Sequence, residues 1–152
     1  QRSSCFHPGS GHYSGNSETT FVGTAMSESG LHPAVLKFNV DAEYFFEEGC
    51  YIIEQLNSDC DPALSIARAR VTPGRTTHWH CLHNTVERYQ ILSGTGLVEV
   101  GDHPAAAVHP GDTVIIPAGM RQRIHNPGED DLIFLALCTP RFVPEHYQDL
   151  ES

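Results

Sequence analysis

Positive charge is scarce in this chain: nine Lys and Arg stand against 19 Asp and Glu over 152 residues, a formal net charge of −10. Phosphate backbones and anionic lipid surfaces are held by clustered cations, so nucleic acid and membrane are excluded as partners. The local exceptions are Arg68/Arg70 and Arg121/Arg123, a spacing that puts both members on one strand face, where solvation or ion pairing is the ordinary outcome. No apolar run reaches the roughly 18 residues that a membrane-spanning helix needs. No basic segment followed by an apolar stretch opens the chain, so the expected location is cytoplasmic. Cys5, Cys50, Cys60, Cys81 and Cys138 form an odd set without a CxxC spacing. They indicate neither a zinc knuckle nor a disulfide framework, and free thiols are expected. Helical periodicity is nearly missing, with only the segments 42–48 and 144–150 suited to a turn or two, and no internal repeat is visible.

What is present is the texture of a β protein. With 39% hydrophobic and 9% aromatic residues, the chain is long enough for one domain with a core and too short for two. Residues 1–30, rich in Gly, Ser, Thr and His, read as an irregular N-terminal arm, and 31–152 as a single domain. Short apolar runs follow at 34–40, 50–56, 63–71, 76–82, 88–92, 96–100, 105–108, 113–116, 122–125 and 132–138. Gly, Pro, Asn or Asp stands at nearly every join. Turn signals about 8–12 residues apart favour an all-β, antiparallel jelly-roll barrel over a βαβ fold. Barrel edges and apolar faces call for a cover, so a homodimer is expected, with the arm as one means of forming it.

Chemistry concentrates between Gly74 and Asn126. His78, His80, His83 and Glu87 fall on or beside two strand-like segments, and Gln122 on a third. In a strand, alternate residues share a face, so Thr76, His78, His80 and Leu82 point one way, and Glu87 and Tyr89 share a face of the next strand. If these faces line a barrel interior, two imidazoles, a carboxylate and an amide oxygen surround one cavity. Two imidazoles and a carboxylate suit a divalent transition metal such as Fe, Mn, Cu, Ni or Zn, with positions left open for substrate or dioxygen. Gln122 would be a weak fourth donor. His83 competes with His78 for one place, because a bend near it would reset the register. Tyr89 is placed to orient substrate or to donate a proton, with Glu87 as its catalytic partner.

The spacing Gly111, Pro117-Ala118-Gly119, Gln122, Asn126 resembles the second half-motif of the cupin superfamily, which usually carries histidine where this chain has Gln122. Glu87 and Gly94 match the end of the first half-motif, while its His-x-His pair is displaced. The resemblance implies a cupin-type jelly roll acting on a small molecule. The leading expectation is a mononuclear metal-dependent oxidoreductase or dioxygenase acting on a small organic molecule or saccharide. A metal-free sugar- or acid-binding module, and a metal-independent isomerase or epimerase with His80 or His78 as base, stand as alternatives.

Overall fold

Short β-branched and aromatic runs become strands only where another strand supplies the missing hydrogen-bond partners. The computed structural model describes residues 31–152, so the arm expected over 1–30 lies outside the described residues. The strands are β1 Tyr44–Phe46, β2 Cys50–Leu56, β3 Ser65–Val71, β4 His80–Leu82, β5 Val86–Ser93, β6 Gly96–Val100, β7 Ala106–Val108, β8 Thr113–Ile116, β9 Gln122–His125, β10 Leu132–Thr139 and β11 Tyr147–Asp149. They build two antiparallel sheets, ordered β1-β2-β3-β10-β5-β8 and β11-β4-β9-β6-β7. Sequence neighbours such as β8 and β9 fall in opposite sheets, while distant β3 and β10 pair side by side. The result is a jelly roll.

Period-two burial shows which face of each strand is inside. On β10, Leu132, Phe134, Ala136 and Cys138 are buried while Ile133, Leu135 and Leu137 are only partly so. Leu132, Phe134 and Ala136, with Val71, Tyr89 and Ile91, meet Val98, Val108 and Ile124 of the other sheet in one core, each large apolar side chain contributing about 1.5–3 kcal/mol. Asn126 anchors one end: its amide donates to the carbonyls of Val71 and Asp130, and its oxygen accepts from the Gly128 backbone. Gly94 explains its own place in the motif. At φ +79° an added Cβ would stand 2.5 Å from the Asp131 carbonyl oxygen, so any side chain would push β5 away from β10.

Several expectations need correction. The run 34–40 is no strand; it is exposed, without a ladder partner, and Phe38 instead lies under the Arg68 guanidinium at 5.7 Å. The acidic segment holds a 3-10 turn at Val40–Ala42 and then β1. The strand expected over 76–82 is pairing in two places. Thr77 bonds Ile124 of β9, His78 N–H turns away to the Glu48 carbonyl, and the ladder resumes at His80. The tail carries a 3-10 turn at Pro144–His146, then β11 beside β4. Cys60 is disulfide-bonded whereas Cys50, Cys81 and Cys138 are free; proximity in the fold, not spacing along the chain, decides such pairing. No helix among the described residues is long and apolar enough to cross a membrane.

Candidate functional site

The facing sheets do not close completely at one end. They leave a pocket whose walls include Leu56, Ile66, Ala67 and Phe142, and whose polar end is formed by His80, Glu87, Tyr89 and Glu48. Counted out to its mouth, the space free of protein atoms is about 630 Å³. Glu87 and Tyr89 come from the inward face of β5. His80 on β4 pairs directly with Gln122 on β9, so sheet-to-sheet packing sets His80 and Gln122 opposite Glu87 and Tyr89.

Gln122 is fully buried and joins two partners. Its Oε1 accepts the Tyr89 hydroxyl at 2.5 Å, and its Nε2 donates to Glu87 Oε2 at 2.7 Å. Burial pushes the Glu87 carboxyl up to about 7; the positive charge that His80 can carry and the Gln122 amide oppose the rise, and the Glu48 carboxylate adds to it. Burial, with the Glu87 carboxylate second, also holds the Tyr89 phenol well above its ordinary range. The Tyr89 hydroxyl, expected to orient substrate or to donate a proton, donates to Gln122 in this structure.

His80 is oriented on both sides. Its Nδ1 donates to the His78 carbonyl at 2.8 Å, because a carbonyl oxygen can only accept. Nε2 is then the ring atom that gains or loses a proton, and the Glu48 carboxylate lies 3.4 Å from it. Both side chains are shielded, 3% exposed for His80 and 13% for Glu48, so their mutual attraction is weakly screened. Glu48 belongs to the turn between β1 and β2, pinned to the barrel by His78 N–H on its carbonyl at 2.8 Å. Its other oxygen accepts from the Cys50 thiol at 3.2 Å. Tyr147 of β11 stacks on His80 with ring centroids 5.5 Å apart and meets Phe46 edge-on.

His78 and His83 are not brought to this pocket. Broken pairing at His78 rotates it outward, where its Nδ1 lies 3.0 Å from Asp149 Oδ2; Asp149 raises the His78 pKa, and His78 lowers that of Asp149. His83 is exposed past the end of β4 and bonds Gln148 at 2.7 Å. Sequence reasoning missed Glu48 and Tyr147. Glu48 sat inside a stretch of several acidic residues with nothing to single it out, and Tyr147 lay in a tail read as helical.

A transition metal held as the sequence suggested needs several converging donors with free lone pairs. Gln122 Oε1 is occupied by Tyr89, Glu87 Oε2 by Gln122, and a single one of the three candidate imidazoles faces the pocket. Among the described residues no group of three or more His, Cys, Asp or Glu is arranged to hold a metal ion. The residues present do not fit a resident metal.

Comparison with known proteins gives a consistent picture. A family model described as a cupin domain matches residues 67–138. An uncharacterized protein of Methanocaldococcus jannaschii, MJ1618, is 32% identical over 110 residues, covering 71% of this chain and 87% of that protein. Among solved structures, a double-stranded β-helix protein of Klebsiella pneumoniae superposes with a TM-score of 0.64 at 17% identity, covering 78% of this chain and all of the other. A Thermotoga maritima protein described as a predicted oxalate decarboxylase superposes with a TM-score of 0.55 at 26% identity, over 60% of this chain and 80% of that one.

Proposed function

Because this chain belongs to the cupin family, we propose that its barrel pocket is a metal-independent acid–base site that isomerises a small organic molecule. The observation that carries this reading is the meeting of two buried titratable groups across one pocket, His80 backed by Glu48 and Glu87 backed by Gln122. A carboxyl titrating at about 7 is poised to give and take protons near neutrality. The dioxygenase reading requires two imidazoles on one ion, and the pocket offers one.

On a hydroxy-carbonyl compound the proton inventory closes without a co-reactant. His80 Nε2 takes the proton from the carbon bearing the hydroxyl, and the C–H electron pair moves into a carbon–carbon double bond. The carbonyl oxygen receives the Glu87 proton, giving an enediol. Glu87 then recovers a proton from the neighbouring hydroxyl, and the imidazolium returns its own to the adjacent carbon. Hydroxyl and carbonyl have exchanged places, and both residues are reset. Glu48 stabilises the imidazolium while it exists.

Solvent deuterium incorporation, followed by NMR in D₂O across neutral aldoses and hydroxyketones with excess chelator, tests this. Incorporation should persist under chelation and fall by about 10²-fold or more in His80→Gln. Added Mn, Fe or Zn should not move the melting temperature, whereas a resident site filled to 100 times its Kd would add about 2.7 kcal/mol. Incorporation that appears only with added metal would sink the reading. The homodimer belongs to the same proposal, supported by exposed Val35, Leu36 and Phe38 in the segment that precedes β1 and by exposed Phe45 on that edge strand. A monomer by light scattering at micromolar concentration refutes it.

A further inference from the structure

The carboxylates and imidazole that line the pocket are Glu48, Glu54, Glu87 and His80, with neither Lys nor Arg among its lining residues. Of the arginines elsewhere in the barrel, Arg70 is committed to Glu43 and Asp131, and Arg121 and Arg123 each lie over the Trp79 ring at 4.5 Å. An anionic ligand would enter a low-dielectric space among carboxylates with no fixed cation to meet it. A cationic ligand would find its nearest counter-charges already engaged, Glu48 by His80 and the Cys50 thiol, Glu54 by the Asn57 amide, and Glu87 by Gln122. Among the other polar side chains that line the pocket, Tyr147 stands apart. Its hydroxyl is enclosed and, among the described residues, is the buried side-chain polar atom without a hydrogen-bond partner. Tyr147 lines the same pocket, so a ligand oxygen held there is an acceptor its O–H can gain on binding.

We propose that the pocket selects uncharged oxygenated molecules over carboxylates and phosphates of the same size, and that Tyr147 is the specificity-determining residue that donates to a ligand hydroxyl or carbonyl oxygen. The apolar part of the ligand lies against Leu56, Ile66 and Phe142, which face the same space. An enclosed phenol with no acceptor is unfavourable in the free protein and becomes favourable on binding. The cost falls on the empty pocket and the gain on the filled one. This deepens the acid–base reading of the same pocket by naming its substrate class.

Calorimetry on the full chain measures it without turnover. Acetoin, erythrulose and fructose serve as neutral probes, threonate, gluconate and oxalate as anions, and glucosamine as cation. At least one neutral probe should bind at least tenfold tighter than its charged counterparts. Tyr147→Phe keeps the ring stacked on His80, so its melting temperature should be unchanged or raised, while neutral-probe affinity falls about tenfold, the equivalent of one hydrogen bond. Equal or tighter binding of an anion or of glucosamine overturns the proposal, as does a blank for every neutral probe or an affinity untouched by Tyr147→Phe. Selective binding without deuterium incorporation would defeat the acid–base reading and leave charge selection standing. Incorporation into anionic probes would do the reverse.

Discussion

Replacing Glu87 with Gln should change how stability depends on pH, by an amount that follows from the burial of this side chain. Its carboxyl titrates at about 7 in the folded protein against an ordinary value of 4.5. A raised carboxyl pKa means that the folded state binds more protons than the unfolded one between those values. Stability therefore falls as pH rises through that window. Relative to the fully protonated state, Glu87 costs on the order of 1 kcal/mol at pH 5 and on the order of 3 kcal/mol at pH 8, taking about 1.36 kcal/mol per pKa unit. Glu87→Gln removes that titration, while its amide oxygen can still accept from Gln122 Nε2. Whatever the substitution costs in packing is common to both pH values. The stability difference between variant and wild type should consequently move on the order of 2 kcal/mol in the variant's favour from pH 5 to pH 8. Urea unfolding followed by fluorescence of Trp79, the sole tryptophan, gives both curves. Profiles that stay parallel within about 0.5 kcal/mol would mean that Glu87 ionises at an ordinary pKa, and the acid role assigned to it would fall with that result.

The remaining predictions concern how the pocket is held. Asp149→Asn should lower the His78 pKa toward its ordinary value, because the Asp149 carboxylate is the largest cause of its rise. Stability from this pair is fully present between about 3.8 and 6.5; it is lost as pH rises through the raised His78 pKa and as pH falls through the lowered Asp149 pKa, and an NMR titration of His78 unmoved in the variant would contradict the ion pair. Gly94→Ala should cost well above about 1 kcal/mol, since its Cβ would meet the Asp131 carbonyl at 2.5 Å with φ at +79°. A thermal melt at wild-type temperature would show that β5 and β10 have slack there.

Much of this barrel is readable from sequence because strand texture is local. The strands β2, β6, β8 and β9 occupy the runs 50–56, 96–100, 113–116 and 122–125, where alternation and flanking turn residues agree. The run 34–40 looked equally apolar, yet no strand lies beside it. An extended segment becomes a strand only if its backbone groups find partners, and partners are chosen by topology. His78 makes the same point at the scale of one residue. Alternation placed it beside His80, but alternation holds only along an unbroken ladder. Here the chain leaves β9 after Thr77 to bond the Glu48 carbonyl.

By itself the sequence determined that this is an antiparallel jelly roll, that Glu87, Tyr89 and Gln122 fall on inward-facing strand positions, and that Gln122 stands within a frame that otherwise carries histidine. Period-two patterning and turn chemistry are properties of short segments, so they survive reading without a structure. Only the tertiary structure decided what surrounds Gln122. Glu48 arrives from the β1–β2 turn and Tyr147 from the last strand, each brought to His80 by pairing between distant parts of the chain. Those contacts, together with the hydrogen bonds that occupy Gln122 and Glu87, are what the proposed acid–base reading rests on, where the donor list by itself had suggested a metal centre. Residue type and spacing say which donors exist, and long-range pairing says where each one points.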